Sequence, residues 1–315
     1  GSVKLMTDGI LLAELQNGRF LSKYEVIIID NLSKGKQELV PEKAVFFKGE
    51  LTDSEFVEDV FSKHDIDAVM HFAAYKAVGE SMQDAIKYSD NITGSIVLLN
   101  TMVKYKVRQI IFSSTAAVYG EGSDEPITEN TRIDPKNYYG ATKQFVEENI
   151  RWYHAIHGIQ YTILRYFNVA GDTGAGYVDP KADNIFPIIS EVITGKREKL
   201  VVFGDDYDTH DGTGVRDYID VNDLIEAHVK ALTSNESAII NLGTGKGYSV
   251  LDLVKTFENV TGEQIPYRVG ERREGDPALI VASYEKANRL LGWIPKRTIE
   301  ETVKASIEAY QSRSR

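Results

Sequence analysis

Short apolar runs alternate with longer amphipathic ones over the first half of the chain. Glu25–Ile29, Ala44–Phe47, Ala68–Phe72, Gln109–Ser113 and Tyr161–Leu164 are continuous stretches rather than alternating ones. That pattern predicts parallel strands covered on both faces. Between them lie helical segments, among them Ser54–Lys63, Ser95–Tyr105 and Lys143–His157. The first opens on Thr52 with Glu55 three residues on, a capping-box arrangement. Strand, helix, strand in succession predicts an α/β fold with a doubly wound parallel sheet and any ligand at the C-terminal ends of the strands. After Asn168 the texture changes. Gly171-Asp172-Thr173-Gly174-Ala175-Gly176 reads as an open loop, followed by shorter mixed elements. The expected division is residues 1–170 and 171–315, the second a smaller mixed α/β domain with some segments crossing back to the first.

Composition narrows the class. The 315 residues suit one large α/β unit or two domains, and 42% hydrophobic residues are enough for a sizeable core. A net charge of −11 disfavours nucleic acid or an anionic membrane as partner, because there is no basic excess to displace phosphate counterions. With no cysteine there is neither a disulfide framework nor a thiolate metal site, which fits a reducing cytoplasm. No apolar run approaches the ~18 residues of a membrane span, and no signal-peptide pattern is present.

Candidate chemistry concentrates in two segments. Gln109-Ile110-Ile111-Phe112-Ser113-Ser114-Thr115 is a buried-strand pattern ending in hydroxyls, and Tyr139-Gly140-Ala141-Thr142-Lys143 follows it. Tyr139 and Lys143 are four residues apart and share one helix face. An ammonium beside a phenol favours the phenolate and lowers its pKa from about 10, toward use as an acid/base on a sugar hydroxyl. Tyr177 and Lys181 have the same spacing, but Pro180 and the neighbouring glycines make that pair a loop. An ordinary exposed helix face would account for a lone Tyr/Lys pair; the Thr115 strand favours chemistry. A metal role for His71 is disfavoured, since it has no partner at ligand spacing and ends an apolar strand.

Several further segments carry a family likeness. They are Asp30-Asn31-Leu32-Ser33, His71-Phe72-Ala73-Ala74-Tyr75-Lys76-Ala77-Val78-Gly79-Glu80-Ser81, Asn91-Ile92-Thr93-Gly94, Arg165-Tyr166-Phe167-Asn168, Asp211-Gly212-Thr213-Gly214-Val215-Arg216-Asp217-Tyr218-Ile219 and Arg272-Arg273-Glu274-Gly275-Asp276. With Phe112–Gly120 they resemble, in order and from about Tyr24 to Tyr310, the extended short-chain dehydrogenase/reductases and within them the UDP-galactose 4-epimerases. The resemblance implies a Rossmann domain that retains NAD, a smaller nucleotide-sugar domain, and C4 epimerisation of UDP-glucose and UDP-galactose through a 4-keto sugar. It implies Thr115, Tyr139 and Lys143 as catalytic residues. For the cofactor it implies Asp30 on the adenosine ribose, Asn31, Glu50 and Leu51 near the adenine, and Phe72, Ala73, Ala74 and Lys76 along the ribose and pyrophosphate. Asn91, Ser113 and Tyr166 complete that set, with Tyr139 and Lys143. For the UDP-sugar, besides Thr115 and Tyr139, it implies Asn168, Asn184, Ile185, Val201, Phe203, Arg216, Arg273, Asp276 and Leu279. A homodimer through the Ser81–Tyr105 and Lys143–His157 segments is a further expectation.

The start of the chain departs from that pattern. Three glycines spaced G-x-x-G-x-x-G should lead into a helix N-terminus facing the pyrophosphate. Val3-Lys4-Leu5-Met6-Thr7-Asp8-Gly9-Ile10 offers Gly9 alone, and Asp8 sets a negative charge nearby. The loop is altered with the cofactor held by the remaining contacts, or it is lost with NAD binding, or these residues do not represent the natural chain. Two other readings stand beside the epimerase. A dehydratase needs an acidic pair after Thr115, where this chain has Ala116 and Ala117. A degenerate nucleotide-sugar-binding homologue draws only on the missing glycines. An epimerase acting on UDP-N-acetylglucosamine or UDP-glucuronate is the nearest alternative.

Overall fold

The computed structural model describes residues 2–7, 24–121, 125–174 and 184–313. Gly9, the one expected cofactor contact of the glycine loop, lies outside them. The chain divides into two compact units, residues 1–120, 132–166 and 228–240 in the first, and 121–131, 167–227 and 241–315 in the second. The main boundary therefore falls after Tyr166, and each unit also takes a short segment from the other's stretch of sequence.

The first unit runs β1 (Ser2–Thr7), β2 (Tyr24–Asp30), β3 (Val45–Lys48), α1 (Ser54–Lys63), β4 (Ala68–His71), α2 (Val78–Ser81), α3 (Ala85–Lys104), β5 (Gln109–Thr115), α4 (Tyr138–His157) and β6 (Gln160–Tyr166). A later strand, Ala238–Leu242, contributes its first three residues to this unit and forms the edge next to β6. From the other edge the order is β3, β2, β1, β4, β5, β6, with each of these pairs parallel. Strand order reverses between β1 and β4, the point at which such sheets open a crevice at their carboxyl ends. Strand residues such as Ile27, Ile29, Val69, Ile110 and Ile163 are buried against Val57, Phe61, Leu98, Met102, Val146 and Ile150 of α1, α3 and α4.

One helix cap and two helix starts differ from the sequence expectation. Asp53, not Thr52, caps α1, accepting from the Phe56 N–H at 3.2 Å. Helix α3 begins at Ala85, ten residues before the expected Ser95, because Asp84 caps the Lys87 N–H and the polar first turns blunt the apolar periodicity. Helix α4 begins at Tyr138, capped by Asn137 through the Gly140 N–H at 2.8 Å. Gly140 is required inside the first turn: a Cβ there would lie 2.8 Å from the Ala117 carbonyl oxygen.

In the second unit, β7 (Asn168–Ala170) is followed by α5 (Ile185–Ile193), β8 (Leu200–Phe203), β9 (Val215–Arg216), β10 (Tyr218–Asp220) and the first seven residues of α6 (Val221–Ala231). After β11 (Ala238–Leu242) come β12 (Tyr248–Ser249), α7 (Val250–Thr261), β13 (Tyr267–Gly270), β14 (Leu279–Ile280), α8 (Glu285–Leu291) and α9 (Ile299–Arg313). Small sheets β7/β10, β8/β13 and β12/β9/β14 surround a core in which Phe186, Leu200, Val202, Phe257, Val303 and Ile307 are buried. The Asp217 carboxylate, fully buried, ties the loops together by accepting from Thr244, Gly245 and Ala282 backbone N–H groups.

Candidate active site

Two of the three expected catalytic groups meet at the C-terminal end of β5. Thr115 ends the strand and caps the 3-10 turn Ala116–Tyr119, its side chain accepting from the Ala117 N–H at 3.1 Å. Its hydroxyl acts on the Tyr139 phenol, lowering the phenol's pKa against the effect of burial. Tyr139 occupies the first turn of α4, where the helix dipole favours an anion. Lys143 lies one turn further on, buried, with its ammonium donating to the Ser113 carbonyl oxygen at 2.7 Å and standing 4.8 Å from the Phe112 ring centroid.

The electrostatics correct one expectation. Burial pushes the Tyr139 phenol above its ordinary pKa, and the Thr115 hydrogen bond offsets this only in part. The expected net lowering by Lys143 is not found; the phenol is neutral at pH 7. Burial first, and then the positive charge of Lys143, push His71 down to about 3, so its imidazole is neutral. His71 Nε2 lies 2.8 Å from Ser95 Oγ, which donates to the Asn91 carbonyl.

Tyr166 stands opposite Thr115 in the β5/β6 ladder. Its hydroxyl bonds the Ser113 side chain and His228 Nε2, and burial raises its pKa. His228 is fully buried and also packs on Phe72, with ring centroids 5.1 Å apart. No sequence signal points to His228, which is 62 residues from Tyr166.

A cleft in the same unit lies at the ends of β2, β3 and β4. Asp30, Asn31, Glu50, Leu51, Ala73, Ala74, Lys76 and Asn91 line it, together with Lys34 and His71. Asp30 accepts from the Leu32 N–H at 2.9 Å, and Leu32 takes a left-handed φ of 60° to turn the chain there. A Cβ on Gly35 would stand 2.2 Å from Asp30 Oδ2, so glycine alone leaves that carboxylate in place. Asn31 Nδ2 donates to Glu50 Oε2 at 3.1 Å; the longer Glu side chain is thereby held at the cleft wall. Asn91 fixes the opposite wall by a reciprocal pair with Tyr75, accepting from its N–H at 2.8 Å and donating to its carbonyl at 2.9 Å. Phe72 does not line this cleft; it lies against His228.

The remaining expected residues all belong to the second unit. Asn168 is exposed at the head of β7, its N–H bonded to the Asp217 carbonyl at 3.0 Å. Exposed Asn184 precedes α5, whose first residue is Ile185. Val201 and Phe203 sit on β8, and the Arg273 guanidinium stacks 4.0 Å from the Phe203 ring centroid. Arg216 on β9 pairs with Ile280, and Leu279 with Val215, in the β9/β14 ladder. Asp276 is exposed, and its charge helps raise the Tyr207 pKa, after burial. Arg272, which sequence reasoning passed over, covers the Tyr207 ring at 4.1 Å and pairs with Asp206 at 2.7 Å.

Among the described residues, the one group of three metal-ligand types is His210, Asp211 and Asp252. Asp211 and Asp252 already accept from Ser249 at the cap of α7. No described helix is long and apolar enough to cross a membrane.

Comparison with known proteins gives the chain's family. The family model described as "NAD dependent epimerase/dehydratase family" matches residues 11–243. The chain is 45% identical over 297 residues to the UDP-glucose 4-epimerase of Bacillus subtilis (strain 168), covering 89% of this chain and 88% of that protein. Among solved structures, UDP-glucose-4-epimerase from Stenotrophomonas maltophila with bound NAD and formylated UDP-arabinopyranose matches with a TM-score of 0.93 at 35% identity, over 100% of this chain and 99% of that one. The UDP-glucose 4-epimerase from Bifidobacterium longum in complex with NAD+ and UDP matches with a TM-score of 0.91 at 37% identity, over 99% and 98%. A match of this extent, on a sheet whose strand order reverses at the cleft, places the chain in the NAD-dependent epimerase/dehydratase family.

Proposed function

We propose that this protein is an NAD-dependent UDP-glucose 4-epimerase, interconverting UDP-glucose and UDP-galactose in the cytoplasm as a step of galactose metabolism. The observation that carries the reading is the Thr115 hydroxyl acting on the Tyr139 phenol at the end of β5, in the unit that carries the cleft. Relatives sharing 45% of their residues over most of the chain bear that name.

The described residues fit the cofactor. Asp30 is a buried carboxylate at the end of β2 in an opening that only Gly35 permits, where the fold presents an acidic residue to ribose hydroxyls. A carboxylate at that position favours NAD over NADP. Asn31, Glu50 and Leu51 form the adenine end, with Ala73, Ala74, Lys76 and Asn91 toward the pyrophosphate and Ser113, Tyr166 and Lys143 toward the nicotinamide. Bound NAD supplies a hydride acceptor that returns the hydride to the opposite face of the same carbon.

Tyr139, in its phenolate form, takes the proton from the sugar 4-hydroxyl and returns it after the 4-keto sugar has turned. Thr115, its lone pair engaged by the Ala117 N–H, donates its proton to the shared oxygen and relays it. Lys143, fixed by the Ser113 carbonyl, holds the nicotinamide ribose. In the second unit, Arg216 and Arg273 clamp the diphosphate, Val201 and Phe203 face the uracil, and Asp276 accepts from the ribose. Asn168, Asn184, Ile185 and Leu279 complete the nucleotide-sugar contacts. Ala116 and Ala117 supply no acid for a dehydratase.

The test is a UDP-galactose assay on the purified protein with NAD, together with absorbance for bound NAD(H). Tyr139→Phe should lower turnover about 10²–10⁴-fold with UDP binding unchanged, the worth of a positioned acid/base. Loss of UDP binding with turnover intact would overturn the assignment. A protein that binds UDP-sugar but neither NAD nor turns over would instead be a binding homologue.

A further inference from the structure

Directly beneath the Thr115–Tyr139 pair lies a buried ionic cluster that the proposed chemistry does not use. Glu147 is on α4 two turns after Tyr139 and one after Lys143, so the three side chains share a helix face. Arg165 lies on β6, opposite Ser114 in the ladder. Arg165 Nη2 donates to Glu147 Oε1 at 2.6 Å and Nε to Oε2 at 3.1 Å, a bidentate fork. The Ser114 hydroxyl donates to Glu147 Oε2, and Arg165 Nη1 donates to the Tyr119 hydroxyl at 2.9 Å. All four side chains are nine-tenths or more buried.

Each member adjoins a group of the site. Ser114 lies between Ser113, whose carbonyl holds the Lys143 ammonium, and Thr115. Glu147 continues the Tyr139/Lys143 face, and Arg165 precedes Tyr166. Tyr119 closes the turn that Thr115 caps. A buried ion pair is weak evidence for stability, since apolar residues of the same volume serve as well or better. What a bidentate fork supplies is orientation. Besides apolar contacts and the Lys143–Ser113 hydrogen bond, α4 is tied to the sheet by the two carboxylate oxygens of Glu147, which accept from donors fixed on β5 and β6.

We propose that Glu147, Arg165 and Ser114 form a positioning device that sets the register of α4 against β5, and with it the distance between the Tyr139 phenol and the Thr115 hydroxyl. This rests on the catalytic reading of those two residues. Misplacement of reacting groups by about 1 Å costs on the order of 100-fold in rate, so loosening the device should act on kcat rather than on nucleotide affinity.

The experiment compares Ser114→Ala, Glu147→Gln, Tyr139→Phe and Val57→Ala, the last a buried α1 residue outside the cluster. Each variant is measured for kcat with UDP-galactose, its pH profile, UDP affinity and Tm. Ser114→Ala removes one hydrogen bond and leaves the ion pair, so it tests the proposal even where Glu147→Gln does not fold. The expected result is a kcat fall of about 10–100-fold in Ser114→Ala, a displaced acid limb of the pH profile and unchanged UDP affinity. Val57→Ala should keep its kcat at an equal or larger loss of Tm. The proposal is overturned if Ser114→Ala keeps kcat within about twofold of the parent while Tyr139→Phe is inactive, or if Val57→Ala loses as much kcat as Ser114→Ala. An active Tyr139→Phe would sink the catalytic reading itself, and the proposal with it.

Discussion

The Thr115 side chain accepts from the Ala117 N–H at 3.1 Å, and the same hydroxyl lowers the Tyr139 pKa against the effect of burial. The hydroxyl is therefore an oriented donor at the spot where the proposed reaction places an oxygen that gains and loses negative charge. Donors held in place before charge develops cost no reorganisation during the reaction.

Removing that donor should move a pKa in a definite direction. Burial raises the Tyr139 pKa and the Thr115 bond lowers it, so Thr115→Ala leaves burial less opposed and raises it further. The competent phenolate is then populated only at higher pH. The acid limb of the kcat/KM profile should shift toward alkaline pH, with a lower rate at pH 7. A shift toward acid would contradict the assigned donor direction.

His71 makes the protein acid-sensitive. Its folded pKa of about 3 lies below the unfolded value near 6.5. Between those values the unfolded chain binds a proton that the folded chain refuses, so stability falls as pH drops through that window. One such proton is worth about 1.4 kcal/mol per pH unit, or about 2 kcal/mol at pH 5. The fall in Tm between pH 7 and pH 5 should be smaller in His71→Gln than in the parent protein. Parallel Tm curves for the two proteins would reject this.

Arg273 should carry affinity rather than rate. Its guanidinium lies over the Phe203 ring at 4.0 Å and is exposed, so truncation removes the proposed diphosphate contact without opening a core. Charge-assisted hydrogen bonds of 1.5–3 kcal/mol correspond to about 10–100-fold weaker UDP binding in Arg273→Ala. Arg273→Lys should recover only part, because an ammonium lacks the bidentate fork and stacks less well. Calorimetric titration with UDP reads both.

Leu279 predicts substrate range. It is half-buried on β14, its backbone held opposite Val215, so its side chain can change with little movement of the chain. On the proposed reading Leu279 adjoins the sugar's C2 substituent, where leucine leaves room that a tyrosine would fill. The protein should epimerise UDP-N-acetylglucosamine measurably, and Leu279→Tyr should suppress that activity more than turnover of UDP-galactose. Steady-state assays with both substrates decide it; no N-acetyl activity in an active preparation would rule it out.

The two packed helices of the first unit carry an exposed apolar stripe. Phe145, Trp152 and Ile156 are exposed on α4, and Ile86 on α3 is 88% exposed. We infer a homodimer formed through α3 and α4, since such a stripe on adjacent helices is the surface a second copy would cover. Sedimentation should give a dimer for the parent protein and a monomer for Trp152→Glu, whose buried charge the interface could not accept. A monomeric parent at micromolar concentration would reject it.

Much of this was written locally. Continuous apolar runs at Glu25–Ile29 and Gln109–Ser113 determine buried parallel strands because only a sheet covered on both faces shelters them. The Tyr139/Lys143 spacing determines a shared helix face because 3.6 residues make a turn. Other features are absent from any local pattern. That Gly140 must lack a Cβ shows only once the Ala117 carbonyl is seen against it. Glu147 looks like one more helical carboxylate until β6 sets Arg165 against it. His228 has no motif, and reaches Tyr166 across 62 residues of chain. The net rise of the Tyr139 pKa follows from burial, and burial depends on every element packed around the phenol. Periodicity is a property of neighbouring residues, whereas close approach, charge pairing and desolvation depend on distances that exist only once the chain has folded.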